Sequence, residues 1–236
     1  MTISGRATLG SIVALIPFCP VLLGASQYTF VAIPANNSIQ TNLISPFPEG
    51  MFTAANEFAT PFFIALAPTG CGFTGTGVCN FFDAFGTNGS GQSITFNLAL
   101  PHVTHVFTLM NAYSPAVGAE IATIQFVGSG GATQTFPLVA GRNIRDFYHG
   151  SFANTLVNGI PGVHAVNAFH CVDPSECLGG GGTGDVDTGY AGLYVVDEQE
   201  FTLSPELVSQ ALVRIVVTDT HDGSVPILLG LTTLSQ

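Results

Sequence analysis

Residues 121–139, IATIQFVGSGGATQTFPLV, alternate in a way no helix tolerates. Ala122, Ile124 and Phe126 fall on one side, Thr123 and Gln125 on the other, which is the period of a half-buried strand. Phe136 and Leu138 against Thr133 and Thr135 resume the pattern after Gly128-Ser129-Gly130-Gly131. Those glycines are expected to supply the positive φ values that a tight reversal needs. The segment reads as a β-hairpin, and its exit, residues 142–147, carries two of the four arginines.

Short strands recur around it. Apolar or alternating runs are expected at 28–33, 62–66, 93–100, 103–111, 193–203, 212–218 and 226–233, with Gly and Pro frequent between them. Residues 148–189 read as a long loop, and Pro205-Glu206-Leu207 starts one helical turn at most. Many short strands with almost no helical periodicity predict an all-β fold, an antiparallel β-sandwich of the jelly-roll kind, as a single domain over residues 27–236.

The 236 residues, 47% hydrophobic with 19 Phe, are enough to fill such a core. Charged residues make up only 8%, lysine is absent and the net charge is −11. Binding to nucleic acid needs clustered Lys and Arg, so that partner class is excluded on charge. An anionic membrane surface is disfavoured for the same reason.

Residues 1–26 read as a secretory signal peptide. Arg6 precedes an apolar run that is broken by Pro17 and Pro20 and followed by Gly24, Ala25 and Ser26. The run is shorter than the ~20 apolar residues a membrane span needs, so a secreted, extracellular protein with no membrane span is expected. Without Cys19, four cysteines remain in two close pairs, Cys71 with Cys79 and Cys171 with Cys177. Their spacings are wider than those of zinc sites, and an even count in an exported chain favours two local disulfides. Asn36-Asn37-Ser38 and Asn88-Gly89-Ser90 fit the glycosylation triplet.

Three acidic groups stand out: Asp173, Glu176, Asp185 and Asp187 in the Gly-rich loop; Asp197, Glu198 and Glu200 in a strand; and Asp219 and Asp222 around His221. The first has the flexible backbone to wrap a structural calcium, which takes hard oxygen ligands, although it matches no EF-hand. A solvated acidic loop is the alternative. His102 and His105, three apart on a strand, point to opposite faces and make poor partners for one metal. There is no G-x-S-x-G elbow, dinucleotide fingerprint or P-loop.

Arg142, Arg145 and Asp146 are the sharpest polar feature in a chain so poor in cations. Two readings stand: an internal Arg–carboxylate pair that pins the hairpin exit, or a fork for a ligand's hydroxyl or carboxylate. In the second, Tyr113, Phe147 or Tyr148 would supply a stacking face beside Arg142 and Arg145.

The order Phe107-Thr108-Leu109-Met110-Asn111-Ala112-Tyr113, Gly118, Ile124-Gln125-Phe126, Pro137-Leu138-Val139 and Asn143-Ile144-Arg145-Asp146-Phe147 resembles galactose-binding-like jelly-roll domains of the discoidin type in bacterial secreted proteins. Residues 214–220 and 225–233 look like the last strands of that family. The resemblance covers residues 90–150 and 200–236. It implies an eight-stranded sandwich, often a structural calcium, and carbohydrate or cell-surface binding through loops at one end. No ligand-contacting residue of the family carries over, and fold likeness does not establish function.

The expectation is therefore a secreted, non-catalytic binding module for a glycan or another extracellular surface. A structural subunit of an extracellular matrix, appendage or coat, capable of self-association, is the second reading. A carbohydrate-active hydrolase is the third, because the separation of a carboxylate pair is not visible in sequence. Two disulfides predict that the intact mass rises by about four hydrogens on reduction; an unchanged mass contradicts the pairing.

Overall fold

A computed structural model describes residues 26–33, 50–54, 56, 58–64, 82–83, 92–147, 153–171, 194–220 and 223–236. The expected signal peptide, Cys71, Cys79, Cys177, both glycosylation triplets, Tyr148, His221, Asp222 and the loop carrying Asp173, Glu176, Asp185 and Asp187 lie outside those residues.

The described elements are almost all strands: β1 (Gln27–Phe30), β2 (Gly50–Thr53), β3 (Pro61–Ile64), β4 (Phe82–Asp83), β5 (Ser93–Leu100), β6 (Val103–Tyr113), β7 (Glu120–Gly128), β8 (Thr133–Val139), β9 (Val163–Cys171), β10 (Tyr194–Thr202), β11 (Leu212–Asp219) and β12 (Val225–Ser235). One helical turn, α1 (Pro205–Val208), is capped by the Ser204 side chain, as its Ser-Pro start leads one to expect. Every strand pair is antiparallel.

The strands form two sheets and a separate hairpin. The larger sheet runs β1-β12-β6-β10-β9, with β4 also on β12; the smaller runs β5-β11-β7-β8; β2 and β3 pair with each other. The antiparallel sandwich expected from the alternation is present. Phe96, Ile124, Phe126, Phe136, Leu138, Ile215 and Val217 of the smaller sheet pack with Val106, Met110, Phe201, Leu228 and Leu231 of the larger in one buried cluster. Phe126, Phe136 and Phe201 form a triangle across the two sheets, with ring centroids 5.5–5.9 Å apart.

The larger sheet is apolar on its other face too. Phe107 and Leu109, which alternate with Val106 and Met110, join Val196, Ile227 and Leu229 in a second cluster with Ala54 and Phe62. The β2–β3 hairpin thus covers part of that outer face. Gly230 makes room for it, because a Cβ there would lie 3.1 Å from both Phe62 and Leu109.

Two expectations change. The region 148–189 holds a strand, β9, that among the described residues runs at the edge of the larger sheet and pairs with β10 alone. Its Ala residues, its polar His164 and Asn167, and an extra residue at Ala168, where the register shifts, blur the alternation. In the hairpin turn, only Gly131 has a positive φ, +92°. Gly128 and Gly130 instead lie against the end of the Gln210 side chain, whose Oε1 accepts from the Gly130 N–H at 2.7 Å.

Phe126→Ala removes one corner of the aromatic triangle and is expected to cost about 3–5 kcal/mol in urea unfolding. A loss under about 1 kcal/mol would show that the two sheets do not depend on that contact.

Candidate functional site: a buried polar strand and an open sheet face

Strand β10 reads YVVDEQEFT, and Asp197, Glu198 and Gln199 are all buried in its middle. Burying three such groups requires that each find partners. Gln199 accepts from the Thr108 hydroxyl at 2.7 Å and donates to the Met110 carbonyl at 2.9 Å. Asp197 accepts from Arg145 Nε at 2.9 Å and Nη2 at 2.8 Å, and from the Asn111 amide at 2.7 Å. Its own N–H donates to Asn111 Oδ1 at 2.9 Å.

The Arg145–Asp197 pair is bidentate and inaccessible, with the arginine side chain 2% exposed and the aspartate 0%. Arg145 Nη1 also donates to the Asn154 carbonyl at 3.1 Å. Its backbone is equally engaged. The Ala112 N–H donates to the Arg145 carbonyl, the Phe147 N–H to the Ala112 carbonyl, and the Val195 N–H to the Phe147 carbonyl, at 2.8–2.9 Å. Residues 145–147 therefore wedge between the ends of β6 and β10, where direct pairing of those strands stops at Glu198.

The two arginines of the hairpin exit part company. Arg145 makes the internal carboxylate pair, with Asp197 from 52 residues away as a partner. Arg142 is exposed, while its carbonyl accepts from the Asn158 N–H at 2.9 Å. Tyr113 is half-buried with its ring 5.9 Å from Phe147. Cys171 ends β9 opposite Tyr194. The described residues do not gather Arg142, Arg145 and Tyr113 into one surface pocket.

The outer face of the larger sheet offers more. Residues directly opposite in antiparallel strands share a face. One row runs Phe30, Thr232, Phe107, Glu200, His164 across five strands. The next runs Tyr28, Leu234, His105, Thr202. On the other side of the first lies Gly230, Leu109, Glu198, Val166. The third row is covered by Ala54 and Phe62, and the middle of the first, Thr232 and Phe107, is buried too, with the Thr232 hydroxyl donating to the Pro61 carbonyl, whereas Tyr28 and Phe30 remain 37% and 40% exposed.

Rings continue across the first two rows. Phe107 lies 6.2 Å from Tyr28, 6.1 Å from Phe58 and 6.1 Å from His105, which stacks on it nearly parallel. Phe58 meets His164 edge-on at 5.3 Å. The His105 imidazole is 3.6 Å from the Glu200 carboxylate, both partly exposed. Asn56 holds the covering segment. Its Oδ1 accepts from its own turn, the Phe58 and Ala59 N–H groups at 3.0 and 3.3 Å, and its amide donates to Glu198 Oε2 at 2.7 Å.

Glu198 and Glu200 share a face two residues apart, the arrangement a hydrolase reading would look for. Burial raises the Glu198 carboxyl to about 7; the Thr60 hydroxyl and Asn56 amide oppose that rise, and the Glu200 charge adds to it. A carboxyl near neutrality can serve as an acid. Glu198, however, is fully buried beneath Asn56 and Thr60, so no substrate oxygen reaches it in this conformation. Among the described residues no three His, Cys, Asp or Glu side chains are placed to hold a metal, and no helix is long and apolar enough to cross a membrane.

No protein-family model, curated protein or solved structure matches this chain.

Removing Asp197 leaves a guanidinium buried without its counter-charge. Asp197→Ala is expected to cost about 3–5 kcal/mol of stability, whereas Arg142→Ala stays within about 0.5 kcal/mol. Equal losses in denaturant unfolding would contradict the division of labour between the two arginines.

Proposed function

We propose that this protein is a non-catalytic, secreted binding module that takes a carbohydrate surface on the outer face of its larger sheet. The supporting observation is the set of side chains exposed along these two rows. Tyr28 and Phe30 present half-exposed rings at one edge, and the partly exposed His105 and Glu200 and the exposed Thr202 follow across the sheet over the buried Phe107. A sugar ring has one apolar C–H face and a rim of hydroxyls. Aromatic area with a few fixed polar groups is the chemistry that complements it. The Glu200 carboxylate accepts from hydroxyls, and the His105 imidazole can donate or accept.

This reading keeps the ligand class implied by the galactose-binding-like resemblance but moves the contact surface from end loops, with Arg142, Tyr113 and Tyr148, to the sheet. The rigid pairing beneath the rows favours it, because positions on strands lose little freedom on binding. A second reading, self-association into an extracellular assembly, draws on Met51 and Phe63, which sit opposite each other in the β2–β3 hairpin and are 63% and 47% exposed.

Tyr28→Ala should lower glycan affinity on an array of plant, bacterial and animal polysaccharides by about thirtyfold, equivalent to about 2 kcal/mol, with the melting temperature unchanged. Undiminished binding in that variant contradicts the site. Absence of any glycan binding by wild type, together with concentration-dependent oligomers in analytical ultracentrifugation that Met51→Ser abolishes, favours the assembly reading.

A further inference from the structure

The edges of the two sheets are not protected alike. An edge strand presents unpaired N–H and C=O groups, and natural sheets blunt it with proline, bulges, short length or covering groups. β8 carries Pro137, and the Asn143 side chain accepts from the Val139 N–H at 2.8 Å and donates to the Pro137 carbonyl at 2.9 Å. On β9, the Asn158 side chain treats Ala165 in the same way, accepting from its N–H at 2.7 Å and donating to its carbonyl at 3.0 Å. The Asn56 amide adds a contact of 3.5 Å to the Asn167 carbonyl. β1 and β4 are four and two residues long.

β5 is the exception. It is eight residues long, and its straight part, Ser93 to Asn97, has neither proline nor charge. The Asp219 N–H donates to the Gln92 carbonyl, and Ser93 lies opposite Thr218. Antiparallel geometry then turns the backbone groups of Ile94 and Phe96 toward β11, and those of Ser93, Thr95 and Asn97 away from the sheet. Among the described residues no group pairs with them. The side chains of Ser93, Thr95 and Asn97 are exposed on the outer face, Phe96 is buried on the inner, and Ile94 and Leu98 are only partly covered there. Regular pairing stops at Leu98 and Ala99, which together face Val213.

We propose that β5 is a dimer edge, pairing antiparallel with β5 of a second copy about a two-fold axis through Thr95. A two-fold contact requires a surface that complements itself, and this register provides one. Thr95 meets Thr95 of the partner subunit, and Ser93 meets Asn97 of the partner subunit, so hydroxyl and amide side chains face each other. These pairs supply about six backbone hydrogen bonds. On the inner face, Ile94 meets Phe96 of the partner subunit and gains apolar cover. Centring on Thr95 uses the whole straight stretch, whereas an axis one residue later draws the bulge at Leu98 and Ala99 into the pairing.

Charge favours this edge for a second copy. Two chains of net charge −11 repel each other, so they approach best where exposed carboxylates are few. β5 has none, Asp219 at the end of β11 is buried, and the exposed charge on β11 is Arg214, opposite Asn97. The four-stranded sheet thereby doubles across the pair, and the outer face of the larger sheet stays open in both copies. The dimer rests neither on the glycan reading nor on the Met51–Phe63 contact. An edge contact of this kind belongs to the small, weak class of interfaces, under about 1,200 Å².

Analytical ultracentrifugation of the full chain should show a monomer–dimer equilibrium with a midpoint on the order of 10–100 µM. Thr95→Pro removes an outward N–H and leaves the bonds to β11 in place, and it should weaken the dimer at least about tenfold. Thr95→Lys keeps the backbone and sets like charges face to face on the axis, so it should also weaken pairing, whether or not the proline variant folds. Met51→Ser should leave the dimer unchanged. In a mixed-isotope sample, a filtered NOE should join the Ile94 Hα to the Phe96 Hα of the partner subunit, the closely spaced pair of this register. A monomer at about 200 µM, a dimer that survives both Thr95 variants, a dimer lost in Met51→Ser, or intersubunit NOEs that place another strand against β5 overturns the proposal. None of these readouts uses a glycan, so failure of the array leaves the dimer standing, and failure of the dimer leaves the array result standing.

Discussion

The buried ion pair between Arg145 and Asp197 is the contact on which the larger sheet depends. Taking a guanidinium and a carboxylate out of water is expensive, and the geometry here answers that cost with a bidentate contact and further bonds from Asn111 and the Asn154 carbonyl. The pair joins two places in the chain that hydrophobic packing alone would not bring into register. One is the exit of the β7–β8 hairpin, which belongs to the smaller sheet. The other is the stretch of β10, in the larger, that faces the bulge of β9. Because residues 145–147 complete the backbone bonding of Ala112 and Val195, the pair also decides where β6 and β10 stop pairing and what fills the gap.

From that corner outward, the larger sheet has to satisfy two faces. Its inner face closes on the smaller sheet through Phe126, Phe136 and Phe201. Its outer face is apolar over more area than one short hairpin can cover, so Phe62 and Phe58 shield part of it and Tyr28 and Phe30 remain open. The binding face proposed above follows from this asymmetry. The covered half carries the buried Glu198 carboxyl. The open half carries rings and hydrogen-bonding side chains on rigid strands.

The sandwich was legible in sequence because period-two alternation survives wherever one face is buried, as in residues 121–139. It failed where both faces are occupied or where the register shifts. Strand β9 is the plain case, with small and polar residues and an extra residue at Ala168. The hairpin turn shows a different limit: its glycines were visible, but the approach of Gln210 to two of them is a tertiary fact. The importance of Arg145 was readable from the scarcity of cations. Its partner was not, since Asp197 lies 52 residues on, among four consecutive polar residues that look like a solvated face. Nor could the sequence align Phe30, Phe107, Glu200 and His164, because a cross-strand row exists only once the registers are known.

A double-mutant cycle with Arg145→Met and Asp197→Leu tests the dependence on this pair most directly. If the two charges support each other in a buried site, the double variant should be more stable than the sum of the single losses indicates by about 2–3 kcal/mol. Losses that add to within about 0.5 kcal/mol would show that the charges act independently and that the corner is held by its backbone bonds instead.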